Sequence, residues 1–269
     1  MSKLVGIWGR PFVDLSPLID TSCFEELDDE ITGALTRVET SYTGGTLKWM
    51  GVVAPWAMDD GYLDAMQVIE GFSRQEFERF VELGDEPEAF DLERFRDYRF
   101  GDETDHPFTL RQMRWLSFRY GVYFPWKVCV HLLENDRWED KHSGQGKSFS
   151  KEAEEHLPKT LRFIRSLPFR EIGRAVLFGL EPNDHAPAHR DTEPGEALQI
   201  AQSINFDPRG DKGLYLRDAE GGSHTVIDSP IYWFNDMDYH GVDPAPRFRY
   251  SIRVDGVFDK AFIKTLEAR

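Results

Sequence analysis

The run His189-Arg190-Asp191 is followed, 49 residues after its aspartate, by His240 and then by Arg249-Tyr250-Ser251. Two imidazoles and one carboxylate are the ligand set of a mononuclear non-haem iron(II) centre, which leaves positions open for substrate and oxygen. In a β-strand, residues 189 and 191 point to one face and can share a metal, while Arg190 points away. The second histidine must then arrive from a distant strand. Ile231 to Asn235 is a β-rich run, and Asp236-Met237-Asp238-Tyr239-His240-Gly241 suits a strand end entering a loop. From Arg249 to Val254 the chain alternates strictly: Arg249, Ser251 and Arg253 share one face, Tyr250, Ile252 and Val254 the other. An arginine fork with a hydroxyl two residues on suits bidentate capture of a carboxylate, such as the far end of 2-oxoglutarate.

Around these residues the chain resembles the iron(II)/2-oxoglutarate-dependent oxygenases, and within them the aspartyl/asparaginyl β-hydroxylase-like branch. The resemblance is carried by Leu180 to Asp191, with His185 four residues before His189 and Pro187 between them. Tyr232-Trp233-Phe234-Asn235-Asp236 ahead of His240, and Arg249 nine residues after it, belong to the same likeness. It covers roughly residues 175 to 258 and leaves the first 150 residues unmatched, which places substrate choice there. The resemblance implies that His189, Asp191 and His240 are the catalytic Fe(II) ligands and that Arg249 with Ser251 holds the C5 carboxylate of 2-oxoglutarate. Dioxygen is then the co-substrate. Related halogenases lack the carboxylate ligand; Asp191 is present here, which favours hydroxylation or desaturation.

Neighbouring polar residues have two readings each. On the run Leu198 to Phe206, Gln199, Ala201, Ser203 and Asn205 share a face, and a small, polar face suits a ligand-filled lumen. Asn205, then Ser203, are the candidate hydrogen-bond partners of 2-oxoglutarate; the alternative is an edge strand with a wet face. Arg253 shares its face with Arg249 and is either a substrate or cofactor contact or a member of an ion pair. His185 and His189 have the spacing of a helical zinc pair, but Pro182 and Pro187 argue against a helix, so His185 reads as a supporting or structural group. Asp236 and Asp238 compete as metal carboxylates and otherwise read as turn residues beside His240. Gly144-Gln145-Gly146-Lys147-Ser148 imitates a phosphate loop, but Lys141 stands where that pattern requires glycine. The segment from Asp140 to Ser150 reads instead as a polar loop and a candidate lid. Trp49, near Gly44-Gly45, and Trp56 are candidate substrate contacts on a second lid; the alternative there is a core hairpin.

The elements that must position these groups are short strands after Ala175: 175 to 181, 198 to 206, 213 to 217, 224 to 228, 231 to 235 and 248 to 256. Two four-stranded sheets of this kind close into a double-stranded β-helix, a cupin-like jelly roll wide enough for one metal and one small acid. Helices are expected over 61 to 72, 74 to 83, 110 to 118, 151 to 166 and 259 to 267. Ser150 is the cap of the fourth, and Leu157, Leu161 and Ile164 are its buried stripe. The fold class is thus mainly β with flanking helices, in a single domain over 1 to 269. Residues 1 to 150 form its helical or irregular substrate-shaping region and 151 to 269 the jelly-roll core.

A net charge of −16 argues against nucleic acid and against anionic membranes as partners. It says little about a small-molecule or peptide substrate. Cys23 and Cys129 have no paired spacing, and the first residues contain no long apolar run, so a cytoplasmic protein is expected. Two other classes keep part of the pattern: a cupin-type metalloenzyme without 2-oxoglutarate, which has no need of Arg249 and Ser251, and a non-catalytic cupin-like binding protein.

Overall fold

The computed structural model describes residues 4–38, 40, 52–53, 65–85, 87, 108–123, 128–192, 195, 199–218 and 224–269. Trp49, Trp56 and their proposed lid lie outside these, as does most of the aromatic stretch between 90 and 108.

Two antiparallel sheets, consistent with a jelly roll, hold the site. The larger has six strands in the order β1 (Phe12–Asp14), β10 (Ile231–Phe234), β7 (Ser203–Phe206), β12 (Arg249–Phe258), β5 (Phe169–Leu180) and β4 (Val128–His131). The smaller has β6 (Ala186–His189), β11 (Tyr239–Val242), β8 (Leu214–Arg217) and β9 (His224–Val226). A two-stranded pair, β2 (Val52–Val53) with β3 (Val122–Tyr123), stands apart. The expected equal sheets are therefore six and four. β1 and β4 make the difference: both come from the first 150 residues, and at three and four residues they are too short to show a period in sequence.

Strand β12 explains the arrangement. Its register sets Tyr250, Ile252 and Val254 beside Gly179, Leu177 and Ala175 of β5, and Ile252 and Val254 also beside Phe206 and Ile204 of β7. This face is apolar and is covered by α1 (Phe24–Ala34) and α6 (Pro158–Ser166) through Phe24, Leu27, Ile31, Leu161, Phe163 and Ile164. Burying each such side chain stabilises the fold by about 1.5–3 kcal/mol. The other face carries Arg249, Ser251, Arg253 and Asp255 next to Asn205, Ser203 and Arg174, and looks toward the smaller sheet. Leu180, Tyr232 and Phe234 of the larger sheet pack on Leu214, Leu216 and Val242 of the smaller one, so the two sheets close on each other around an apolar end.

Where helices differ from expectation, the cause is local. Ser150 caps as expected, its hydroxyl accepting from Ala153 N. The expected single helix from 151 to 166 is nevertheless two, α5 (Lys151–His156) and α6, because Pro158 forces Leu157 out of helical geometry and then starts the second helix. Helices α2 (Ala65–Glu70), α3 (Arg74–Glu82) and α4 (Leu110–Tyr120) gather around their own apolar cluster of Ile69, Phe80, Met113 and Leu116. A final helix, α7 (Lys260–Glu267), is capped by Asp259. No helix among the described residues is long and apolar enough to cross a membrane.

The segment from Asp140 to Ser150 is docked rather than raised as a lid. Lys147 Nζ donates to Gly173 O and to Asp140 Oδ1, each at 2.5 Å, and Lys141 is buried. Gly173 permits this approach, since a Cβ there would lie 2.1 Å from Lys141 O. Gly173→Ala should therefore cost about 1–3 kcal/mol by overpacking, read from urea denaturation. Gly33→Ala, on α1 with open space around it, should be neutral or stabilising by roughly 0.5–1 kcal/mol.

Candidate metal centre

His189 and His240 lie directly opposite each other on paired strands β6 and β11 of the smaller sheet. Their rings are 4.5 Å apart between centroids. Asp191 follows two residues after the end of β6, in a bend whose backbone is fixed by Asp191 N donating to Asp236 O at 3.0 Å. Same-strand alternation is thus not what aligns residues 189 and 191; the bend does it. Asp191 Oδ1 lies 3.5 Å from His189 Nε2 and 3.6 Å from His240 Nε2. One donor atom from each of the three lies within 4.8 Å of the others. Donors bound at about 2.0–2.2 Å to one first-row metal sit at about this separation, so the set fits a metal as it stands.

The surroundings prepare these donors. His240 Nδ1 is 2.9 Å from Asp238 O, and because a carbonyl only accepts, Nδ1 carries a proton and Nε2 is the nitrogen turned toward Asp191. Phe234, from the larger sheet, packs edge-on against the His240 ring at 4.8 Å. His240 is 3% exposed and His189 8%, so water reaches the donors poorly. Burial would raise the Asp191 carboxyl, but the charges of His240 and Arg253, with hydrogen bonds from both histidines, hold it well below the usual carboxylate range.

Arg253 is an ion-pair residue, with all three of its side-chain nitrogens engaged. Nη1 meets Asp191 Oδ2 at 2.5 Å, Nη2 meets Asp236 Oδ2 at 2.9 Å, and Nε meets Asp255 Oδ1 at 2.8 Å. Of its two readings from the sequence, the ion pair is the one this structure forms. Asp236 also binds Lys141 at 2.9 Å, and the Asp238 carboxylate accepts from Val5 N and Gly6 N at 2.6 and 2.8 Å. Neither is a metal carboxylate; both tie remote segments to the His240 strand. Arg190 leaves the site and lies 4.0 Å over the Tyr239 ring. His185, half-buried, is not in the ligand set.

Arg249 is 3% exposed at the far end of the same strand face, donating to Lys212 O at 3.2 Å and Asp184 O at 3.1 Å. Ser251, buried, follows Arg249 on this face, while Asn205 and Ser203, also buried, stand beside Arg253 and Asp255 in register, Asn205 Nδ2 lying 3.4 Å from Ser203 Oγ. Sequence reasoning missed two lysines here. Lys212 is fully buried beside Arg249, its ammonium donating to Phe178 O at 2.6 Å, directly across from Ser251. Burial and the neighbouring Arg249 charge outweigh Asp207 and Asp211 and bring it down to about 7. Lys141 is the second. Both stand in Asp/Gly/Lys-rich runs that read as solvated loops, and neither pattern reveals burial. A cavity of about 190 Å³, lined by Trp138, Lys141, His142, Thr192, Gln199 and Asp236, adjoins the bend that carries Asp191.

No protein-family model and no curated protein matches the chain. Among solved structures it is similar to a 2OG-Fe(II) oxygenase family oxidoreductase from Burkholderia pseudomallei, at 12% identity and TM-score 0.31, over 47% of this chain and 66% of that one. It is also similar to a Pseudomonas putida prolyl-4-hydroxylase, at 15% and 0.27 over 44% and 70%. A third is the collagen prolyl hydroxylase of Paramecium Bursaria Chlorella virus-1 in its 2OG complex, at 10% and 0.26 over 40% and 73%. The first of these is matched over just under two thirds of its length.

The protein should bind one equivalent of Mn(II) or Ni(II) in calorimetric titration, and His189→Ala should lose that binding. Asp238→Ala should keep the stoichiometry while lowering the melting temperature, because it strands two backbone N–H donors at about 1–3 kcal/mol each. Loss of metal by Asp238→Ala in a folded protein would make it a ligand after all.

Proposed function

We propose that the protein is an Fe(II)- and 2-oxoglutarate-dependent oxygenase, built on a double-stranded β-helix, that hydroxylates an unactivated carbon of an amino acid, peptide side chain or natural-product intermediate. The observation that carries this is the pairing of a two-histidine, one-aspartate donor set with a buried arginine and lysine farther along the same lumen. A metal alone would explain the first. An anionic ligand lying between them would suit the second, since a buried guanidinium fork and an ammonium side by side offer charge-assisted hydrogen bonds to a carboxylate.

His189, Asp191 and His240 would hold the iron. Arg249, with Ser251, would receive the far carboxylate of 2-oxoglutarate, and Lys212 would add a second positive charge there. Asn205 and Ser203 offer hydrogen bonds along the way. When bound, the iron with 2-oxoglutarate supplies the oxidising power: R–H, 2-oxoglutarate and O2 become R–OH, succinate and CO2. The chain's own work is to orient these partners and to exclude water, through Phe234 against His240 and the closed apolar end between the sheets. The cavity beside Asp191 is the natural berth for the substrate, and its volume suits a group the size of an amino-acid side chain.

Protein supplied with Fe(II), 2-oxoglutarate and O2 should form succinate, and Asp191→Ala should form none. Binding of one metal without succinate would point instead to a metalloenzyme that does not use 2-oxoglutarate. Arg249→Lys keeps the charge but loses the fork, so apparent affinity for 2-oxoglutarate should fall tenfold or more, about 1.5–3 kcal/mol for a charged hydrogen bond. Iron affinity should barely change.

The lysine adds a pH dependence with a definite sign. With its pKa near 7, Lys212 is cationic below and neutral above. Affinity for 2-oxoglutarate should therefore weaken as pH rises from 6 to 8, and Lys212→Met should flatten that slope. An affinity that rises with pH in the wild type would exclude Lys212 from the anion site.

A further inference from the structure

We propose that Arg253 is a positioning residue for the metal-binding carboxylate, fixing Asp191 as a one-oxygen ligand by tying off Oδ2 and leaving Oδ1 to the metal. This rests on the oxygenase reading only in its functional consequence; the geometry concerns the metal alone. Asp191 Oδ1 is the oxygen near both imidazole nitrogens, at 3.5 and 3.6 Å. Oδ2 is the oxygen held by Arg253 Nη1 at 2.5 Å. The two oxygens of one carboxylate thus have separate partners. A chelating carboxylate would have to surrender a short charge-assisted bond to bring both to the metal.

Arg253 is not free to follow such a rotation. Its Nη2 is held by Asp236 and its Nε by Asp255, and each of those acids has a second cation: Lys141 on Asp236 at 2.9 Å, and Arg174 on Asp255 at 3.2 Å. A planar fork with all three nitrogens engaged has one orientation, which a lysine at the same position cannot reproduce. The same acids remove an objection. A guanidinium so close to a ligand would repel a divalent cation, but here three cations, Arg253, Lys141 and Arg174, face four acids, Asp191, Asp236, Asp255 and Asp136, so the cluster carries a net negative charge before a metal arrives.

The consequence is a count of open positions. Three one-atom donors on a six-coordinate metal leave three sites, enough for a two-atom chelate and one further ligand; a chelating Asp191 would leave two. Asp236 and Lys141 extend the arrangement to the loop around Trp138 that lines the cavity, since Lys141 also lies 3.5 Å over the Trp138 ring.

The test uses Mn(II) alone, without 2-oxoglutarate, so it does not depend on turnover. Pulsed EPR in D2O counts the waters on bound Mn(II). Wild type should show three, and a crystal of the Mn(II)-loaded protein should show Asp191 bound through Oδ1 only; two waters or a chelating Asp191 in wild type overturns the proposal. Arg253→Lys should show two waters and a changed Mn(II) zero-field splitting, with circular dichroism melting in EDTA confirming that it folds. Three waters and an unchanged spectrum in that folded variant would also overturn it. Should Arg253→Lys fail to fold, Lys141→Met, which loosens Asp236 and touches neither Arg253 nor Asp191, should still broaden the Mn(II) signal. A wild type with three waters that forms no succinate would retain the role of Arg253 and remove the oxygenase reading.

Discussion

The guanidinium of Arg253 is the joint on which the two sheets and the centre depend. It belongs to β12, in the middle of the larger sheet, yet it holds Asp191, which hangs from the end of β6 in the smaller one. Burial should lower an arginine's affinity for its proton, but Asp255, Asp191 and Asp236 together push that affinity up. A charge of this kind is tolerated inside a protein only when every nitrogen is met, and here each is. Removing any one acid would strand part of a buried cation. The cluster is therefore strongly specified, and with it the relative placement of β6, β10 and β12.

Much of this was legible in the sequence, and the reasons differ residue by residue. His189, Asp191 and His240 were found because the chemistry of a metal restricts both residue type and spacing. The strict alternation from Arg249 to Val254 was found because β12 has one apolar and one polar face, and period two survives any detail of packing. Arg253 was seen on the correct face but with its partners unknown: Asp255 lies two residues on, while Asp236 follows β10 and Asp191 follows β6, and pairing across a fold leaves no mark in a single chain.

Lys141 and Lys212 show a different limit. Glycine- and aspartate-rich runs are read as solvated loops because they usually are. In this fold they turn inward, Gly210 and Gly213 taking positive φ to bring Lys212 under the sheet. The break at Pro158, by contrast, was written in the sequence and follows from the ring's clash with the preceding residue. Short strands such as β1 and β4 are fixed only by their neighbours, since three or four residues bury too little to declare a period.

The division of β12 into two faces also explains how so polar a centre is compatible with a stable chain. Replacing buried ion pairs by apolar side chains is often stabilising, so the Arg253 cluster is poor material for holding a fold together. That task falls to the other face, where Tyr250, Ile252 and Val254 meet the apolar side chains of α1 and α6. Even Tyr250 is anchored there, its hydroxyl donating to Asp28 at 2.7 Å on α1, while Arg209 clasps the same carboxylate at 2.9 Å. Stability and function thus share a backbone but not a surface. A substitution on the apolar face acts on the centre only by moving the strand, whereas one on the polar face changes the charge, donors or geometry of the candidate metal centre and leaves the apolar packing in place.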